Sequence, residues 1–468
     1  MNWSPGEWGA HPAEALKEDL SLDRGSSVRS DPLFCQIARA LAYTPDDLSR
    51  TSRDPTRHIA TDAATRPPCG RATSRPCQTV RMTVPFATSA RSTVGLEWEL
   101  MLADGETGDL VGRAPEILPE LEEATAHERY TVTGELLTNT VEVTSGIGDT
   151  VEAAVDDIAD AIAAVRSASN PLGIELLCAG SHPFAQWYHQ QVTDKTRYHT
   201  LIERTQWWGR NMMIWGIHVH VGVEDVDKVF PIINALSIYL PHLQALSASS
   251  PFWAGERTGY ASNRALVFQQ LPTAGLPWPL RDWAEFESYL DGMVRTGVMA
   301  DVSEVRWDIR PAPRWGTIEV RACDGMSTLP ELAAVAALVQ VLVEHFSREL
   351  DEGRELPSIP PWFVRENKWR SARYGLDARV IVDAEGTQRP VREHLRETME
   401  QLADIAVQLK CAREFAGLET TMTQGASYAR QLLVADAADG DLREVVQHLI
   451  REFRAGPTLR DHLASLGR

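Results

Sequence analysis

Apolar and polar positions change their period several times along this chain, and each change marks an element. Across residues 94–102 every second side chain is apolar, with Glu97 and Glu99 between them, the period of a half-buried strand. Residues 131–144 carry two short β-branched runs around Gly134 and predict two further strands. Val151, Val155, Ile158, Ile162 and Val165 then recur at helical spacing until Asn170-Pro171, behind a capping box at Asp149-Thr150-Val151-Glu152. Residues 174–179, 214–223 and 317–322 read as strands. Residues 229–247 read as a buried helix despite Pro231 and Pro241. Thr328-Leu329-Pro330-Glu331 opens a helix expected to reach residue 350, and residues 391–415 and 442–453 close the pattern as helices. Between them, residues 250–278 are polar and proline-rich, a long loop of the kind that usually carries function.

No internal repeat and no glycine-rich linker interrupts this pattern, so residues 82–456 are expected to form one domain, followed by a tail over 457–468. Strands separated by long loops and followed by clustered helices argue for an α+β fold with a mostly antiparallel sheet. Residues 1–81 differ: they carry a net charge of +1 against −20 for the rest, are rich in Ser, Thr and Pro, and show no sustained apolar period beyond residues 34–41. Such a segment cannot offset its ordering entropy. Disorder is expected there, with Met82 as the natural start.

Composition narrows the function. A hydrophobic fraction of 43% with 24% charged residues is that of a soluble protein, and no apolar run reads as a membrane span. A net charge of −19 argues against nucleic acid and anionic membranes as partners, because phosphate is gripped through clustered Lys and Arg. Six scattered cysteines without a C-x-x-C pair are expected to be reduced thiols in a cytoplasmic protein.

Four strands carry chemistry that ordinary strands lack. Glu97 and Glu99 lie two residues apart and share a sheet face. Glu142 sits between valines, His218 and His220 share a face, and so do Glu319 and Arg321. Were these strands neighbours, one face would present four carboxylates, one or two imidazoles and a guanidinium. Carboxylates so crowded need a counter-charge. Hard oxygen ligands with an imidazole suit Mg2+ or Mn2+ bound with nucleotide phosphates better than zinc. Any one Glu alone is more simply a solvated strand position, His218 is as well explained by packing, and His220 is the better ligand.

At these residues the sequence resembles the glutamate-cysteine ligase type 2 family, of the YbdK-like carboxylate-amine ligase branch. Gly95-Leu96-Glu97-Trp98-Glu99 resembles its G-x-E-x-E opening. Further matches in order are Gly180 to Phe184, His218 to Gly222, Ser249 to Trp253, Trp307 to Pro311 and Glu366 to Arg370, together covering roughly residues 90–435. The resemblance implies a glutamine-synthetase-like fold, a mostly antiparallel sheet with helices packed on one side. It implies that Glu99 and Glu142 hold one cation near an acyl phosphate, that Glu97, His220 and Glu319 hold another on ATP, and that Arg321 steadies the transferring phosphoryl group. Arg310 is expected to act with Arg321, and Arg264, Asn367, Lys368 and Arg370 to bind nucleotide or substrate. The family's C-terminal segment is matched only loosely by Gln424 to Gln431, which leaves Gly425 and Arg430 without an assigned role.

The activity implied is ATP-dependent ligation of the γ-carboxylate of glutamate to cysteine or another amine through an acyl phosphate. The loop through Trp253, Gly255, Thr258 and Tyr260 is expected to cover the site. A zinc hydrolase and a nucleotide-binding regulator without turnover are the competing classes, and the sequence leaves self-association into a homo-oligomer open.

Overall fold

The computed structural model describes residues 83–455; the readings of residues 1–81 and of the tail 457–468 lie outside the described residues. Seven strands form one antiparallel sheet: β1 (Val94–Asp104), β2 (Thr131–Gly134), β3 (Thr140–Thr144), β4 (Ile174–Leu177), β5 (Ile217–Gly222), β6 (Ile309–Ala312) and β7 (Thr317–Val320). Their order is β6-β7-β5-β1-β3-β2, and β4 takes over from β5 along the far end of β1. The alternation of β1 explains its central place. Val94, Leu96, Trp98 and Leu100 are at most 1% exposed and enter the core, while the alternate positions carry Gly95, Glu97 and Glu99 to the opposite face.

The apolar face is covered by helices. α1 (Val151–Ser169) packs on β1, β3 and β4; α2 (Val229–Ser247) reaches β6; α3 (Leu329–Asp351) lies across β5 and β1. The C-terminal half adds α4 (Pro361–Tyr374), α5 (Val391–Gln408), α6 (Ala412–Gln424), α7 (Ser427–Ala437) and α8 (Leu442–Ala455). Contrary to the sequence reading, two helices, Val226–Ser247 and Leu329–Asp351, are long and apolar enough to cross a membrane, but 83% of each apolar stretch is buried inside the protein. They are core helices.

Local chemistry sets the helix ends. Thr150 alone caps α1, accepting from the Ala153 amide, so Glu152 is not the reciprocal partner a capping box requires. At α3 Thr328 caps the helix, its Oγ1 accepting from the Glu331 amide and donating to the Glu331 carboxylate. The single helix expected over residues 391–415 is two, because the chain turns at Leu409–Cys411 with Lys410 at φ +59°. Cys178, Cys323 and Cys411 are buried free thiols. Burial pushes the Cys323 and Cys411 thiols up to about 12, which keeps them inert.

Candidate active site

Strand register assembles the polar face. Glu97 of β1 faces His218 of β5, Glu99 faces Glu142 of β3, His220 faces Glu319 of β7, and Glu319 faces Arg310 of β6. In an antiparallel pair, opposed residues share a face. Four strand-to-strand registers therefore bring Glu97, Glu99, Glu142, His218, His220, Glu319 and Arg310 onto one surface, with Arg321 just beyond the end of β7.

The contacts are dense. Glu97 Oε2 lies 2.5 Å from His218 Nδ1 and its Oε1 lies 3.3 Å from His220 Nε2. Glu319, 1% exposed, accepts both prongs of the Arg310 fork at 2.7 and 3.2 Å and also pairs with Arg321. Ligand atoms of Glu97, His220 and Glu319 all lie within 4.8 Å of one another, and so do those of Glu97, Glu142 and His218. His220 Nδ1 is 2.9 Å from Thr317 Oγ1, while its buried Nε2 makes no hydrogen bond and points between Glu97 and Glu319. An imidazole held at one nitrogen with the other free among carboxylates is the arrangement of a cation ligand. Glu97 thus belongs to both groups, and His218 joins the second, where sequence reasoning had placed Glu99.

Electrostatics follow from this crowding. Withdrawal from water pushes Glu142 well above the usual carboxylate range, reinforced by Glu97, Glu135 and Glu99. Burial and then Glu135 raise Glu99 to about 7. Burial works against Glu97, but the His218 hydrogen bond and the nearby His218 and His220 imidazoles outweigh it and hold its carboxyl well below that range. Burial, helped by Arg321, lowers His218 to about 4. Bound divalent cations would supply the positive charge that this side of the sheet lacks.

Two cavities flank the cluster. One, of about 280 Å³, is lined by Val94, Gly95, Leu96, Ile147 and Trp315 together with Glu97 and His220; Gly95 shares the face of Glu97 and presents no side chain to it. The other, of about 160 Å³, is lined by Glu99, Glu135, Tyr198 and His218 and by the guanidinium-bearing Arg264, Arg306 and Arg321. Arg264 is 3% exposed, donates to the Arg321 carbonyl at 3.2 Å, and leaves its buried Nε without a hydrogen-bond partner. It lies so close over Gly216 that a Cβ there would collide with it, and the Gly216 amide in turn donates to Glu99 Oε2 at 2.6 Å.

The structure does not bring Asn367, Lys368 and Arg370 to this face. Both ends of the Asn367 amide bond the backbone of Ile381, Lys368 Nζ sits 2.6 Å from buried Asp308, and Arg370 pairs with Glu366 and Gln388. They tie α4 to its neighbours. Arg310 is also committed, its donors divided between Glu319 and the carbonyls of Ser303 and Val305. It fixes Glu319 rather than reaching for a ligand. The loop expected to cover the site is tied down at both ends: fully buried Asp324 accepts from the Ser249 amide and from the Ser250 and Ser262 hydroxyls. Its middle leans on Pro183 and Asp436. His182 of the Gly180 to Phe184 motif is structural, bonded to the Gly108 carbonyl and the Ala185 amide. Glu135, Tyr198 and Arg306 were missed: Glu135 sits in the turn between two strands, Arg306 directly before the Trp307 to Pro311 motif, and Tyr198 on a helix, so no shared period ties them to the face.

Comparison with known proteins gives the family. The family model described as glutamate-cysteine ligase family 2 matches residues 93–448. "Putative glutamate--cysteine ligase 2" of Leifsonia xyli subsp. xyli is 58% identical over 371 residues, covering 79% of this chain and 98% of that protein. "Putative glutamate--cysteine ligase 2-2" of Rhodococcus jostii is 52% identical over 372 residues, covering 80% of this chain and 100% of that protein. Among solved structures, glutamate-cysteine ligase from Francisella tularensis in complex with AMP matches with a TM-score of 0.55 at 12% identity, over 81% of this chain and 94% of that one, a likeness of fold. With the family model spanning residues 93–448 and relatives above half identity, the chain belongs to glutamate-cysteine ligase family 2.

Proposed function

We propose that this chain is a cytoplasmic ATP-dependent carboxylate-amine ligase that activates the γ-carboxylate of L-glutamate as an acyl phosphate and transfers the acyl group to cysteine or another amine. One observation carries the reading: overlapping carboxylate and imidazole ligand groups lie between a largely apolar cavity on the Gly95 side and a cavity lined by three arginines on the Glu99 side. An adenine suits the first, a substrate carboxylate suits the second, and the phosphates would cross the acidic face between them.

The residues present fit Mg2+ or Mn2+. Glu97, His220 and Glu319 would hold one cation, and Glu142 with Glu97, Glu99 and His218 would supply the ligands of another. Such cations neutralise the negative charge that gathers between the attacking carboxylate and the leaving ADP oxygen. The chain's own residues position the reactants. Arg310 locks Glu319 in place, and Glu319 orients Arg321 toward the cavity. Arg321 would stabilise the equatorial oxygens of the phosphoryl group in transfer, and Arg264 and Arg306 would bind substrate carboxylates. Attack by the γ-carboxylate oxygen on the γ-phosphorus releases ADP; attack by the amine nitrogen on the acyl carbon then expels phosphate.

The test follows ADP release and product mass with Mg-ATP, glutamate and cysteine or other amines. A γ-glutamyl amide formed only when glutamate and ATP are both present supports the reading. Nucleotide binding without turnover on any amine overturns it in favour of a regulator.

A further inference from the structure

We propose that the amine accepted by this chain carries an apolar side chain bulkier than that of cysteine, seated on the apolar wall of the arginine-lined cavity. This rests on the ligase reading and specifies its second substrate.

The wall is built from Leu136, Leu201, Met212, Ile214, Phe268 and Leu271. Met212, Phe268 and Leu271 form a small apolar cluster separate from the main core, and Leu136, Leu201 and Ile214 pack on it half-buried. Half-buried leucine and isoleucine lining a concave site leave apolar area in contact with water, and an apolar side chain that covers it gains by burial. The same cavity contains Glu99 and Arg321, so an occupant of the wall is beside the reacting carboxylate.

The polar groups in this cavity define the rest of the ligand. Glu135 is half-buried, receives the Tyr198 hydroxyl at 3.3 Å and bonds its own neighbour Leu136; its remaining acceptor capacity suits an amine nitrogen. The guanidinium groups suit a carboxylate. No hydroxyl remains free for a polar side chain: Thr140 Oγ1 donates to Asn139 and accepts from the Trp215 indole, and Tyr198 OH is shared between Arg197 and Glu135. Neither cysteine nor a polar amide lines the cavity. A side chain lying on this wall meets only Leu, Ile, Met and Phe, so a hydroxyl directed there is desolvated without a partner, a thiol gains no more than a methyl group, and each further methylene is worth on the order of tenfold in kcat/KM.

The experiment measures glutamate- and ATP-dependent ADP release by the full chain with hydroxylamine, L-serine, L-cysteine, L-2-aminobutyrate, L-methionine and L-leucine. The expected order of kcat/KM places methionine or leucine about tenfold or more above cysteine, 2-aminobutyrate level with cysteine, and serine lowest. Leu201→Asn, on the surface of the cavity, is expected to collapse the leucine-to-cysteine ratio at least tenfold. Cysteine preferred over 2-aminobutyrate, methionine and leucine overturns the inference and leaves the ligase standing. No turnover with any amine, hydroxylamine included, overturns the ligase reading itself.

Discussion

Replacing Arg430 by Met removes a guanidinium that ties three C-terminal helices to α3. Arg430 of α7 is 1% exposed; its Nη1 is 2.8 Å from Glu331 of α3 and 2.6 Å from the carbonyl of Gly425, and its Nε and Nη2 grip Glu452 of α8 at 2.7 and 3.2 Å. Glu452 is fully buried and Glu331 is 7% exposed, so the substitution strands two carboxylates out of water. Breaking one buried pair this way costs about 3–5 kcal/mol. Compensation is available: Thr328 Oγ1 keeps its bond to Glu331, and His448 Nε2 stays 3.2 Å from Glu452. The expected loss at pH 7 is therefore about 3 kcal/mol, a large part of the roughly 5–15 kcal/mol that holds a domain together.

The pH dependence has a definite sign. Burial opposes ionisation of Glu452, but Arg430 and His448 outweigh it and depress its carboxyl. A depressed carboxylate contributes stability above its unfolded value and loses it as pH falls. The gap between native protein and variant should thus be complete at neutral pH and narrow as pH falls below the usual carboxylate value of 4.5. Urea unfolding followed by tryptophan fluorescence measures it, and Arg430→Met/Glu452→Leu should recover part of the loss. A variant within 1 kcal/mol of the native protein at pH 7, or a double substitution no better than the single, would refute the reasoning.

Three further outcomes follow from the same structure. Because Glu97 belongs to both ligand groups, Glu97→Gln should lower glutamate-dependent ADP release by about 10²–10³ or more and abolish any rise in melting temperature on adding Mn2+. Arg264→Lys keeps the charge but loses the fork; the KM for the carboxylate substrate should rise about tenfold in steady-state kinetics with little change in overall stability. Burial holds His242 at about 3, helped by its neighbour His394, and holds His182 at about 4. A depressed imidazole loses stability as pH falls below its unfolded value of about 6.5, by about 1.4 kcal/mol per pH unit for each group, so His242→Gln should halve that pair's contribution to the slope between pH 6 and 4 in urea titrations.

The polar face was legible because β1 and β5 set two carboxylates or two imidazoles at alternate positions and β3 and β7 each set a glutamate between β-branched residues, a pattern that a solvated strand has no reason to keep. Which strands are neighbours was not legible, since a register such as Glu99 opposite Glu142 joins residues far apart in the chain. His218 was undervalued for that reason: only the pairing of β5 with β1 sets it against Glu97. The residues around Lys368 were misplaced because a charge run on a helix does not say which way it points, and Asp308, its partner, lies 60 residues away. Several helices escaped the period search. Ala114–Ala124 has Pro119 inside it, and in Pro361–Tyr374 only Val364 and Ala372 of the buried residues are apolar, too few to mark a face. The break at Lys410 carries neither Gly nor Pro to announce it.

The most direct test follows an oxygen atom. With glutamate labelled with oxygen-18 in its γ-carboxylate, Mg-ATP and hydroxylamine as an acceptor small enough to need no side-chain pocket, formation of an acyl phosphate on this face of the sheet predicts one labelled oxygen in each phosphate released. Phosphate released without the label would contradict carboxylate activation and leave the cluster around Glu97 as a site for nucleotide hydrolysis alone.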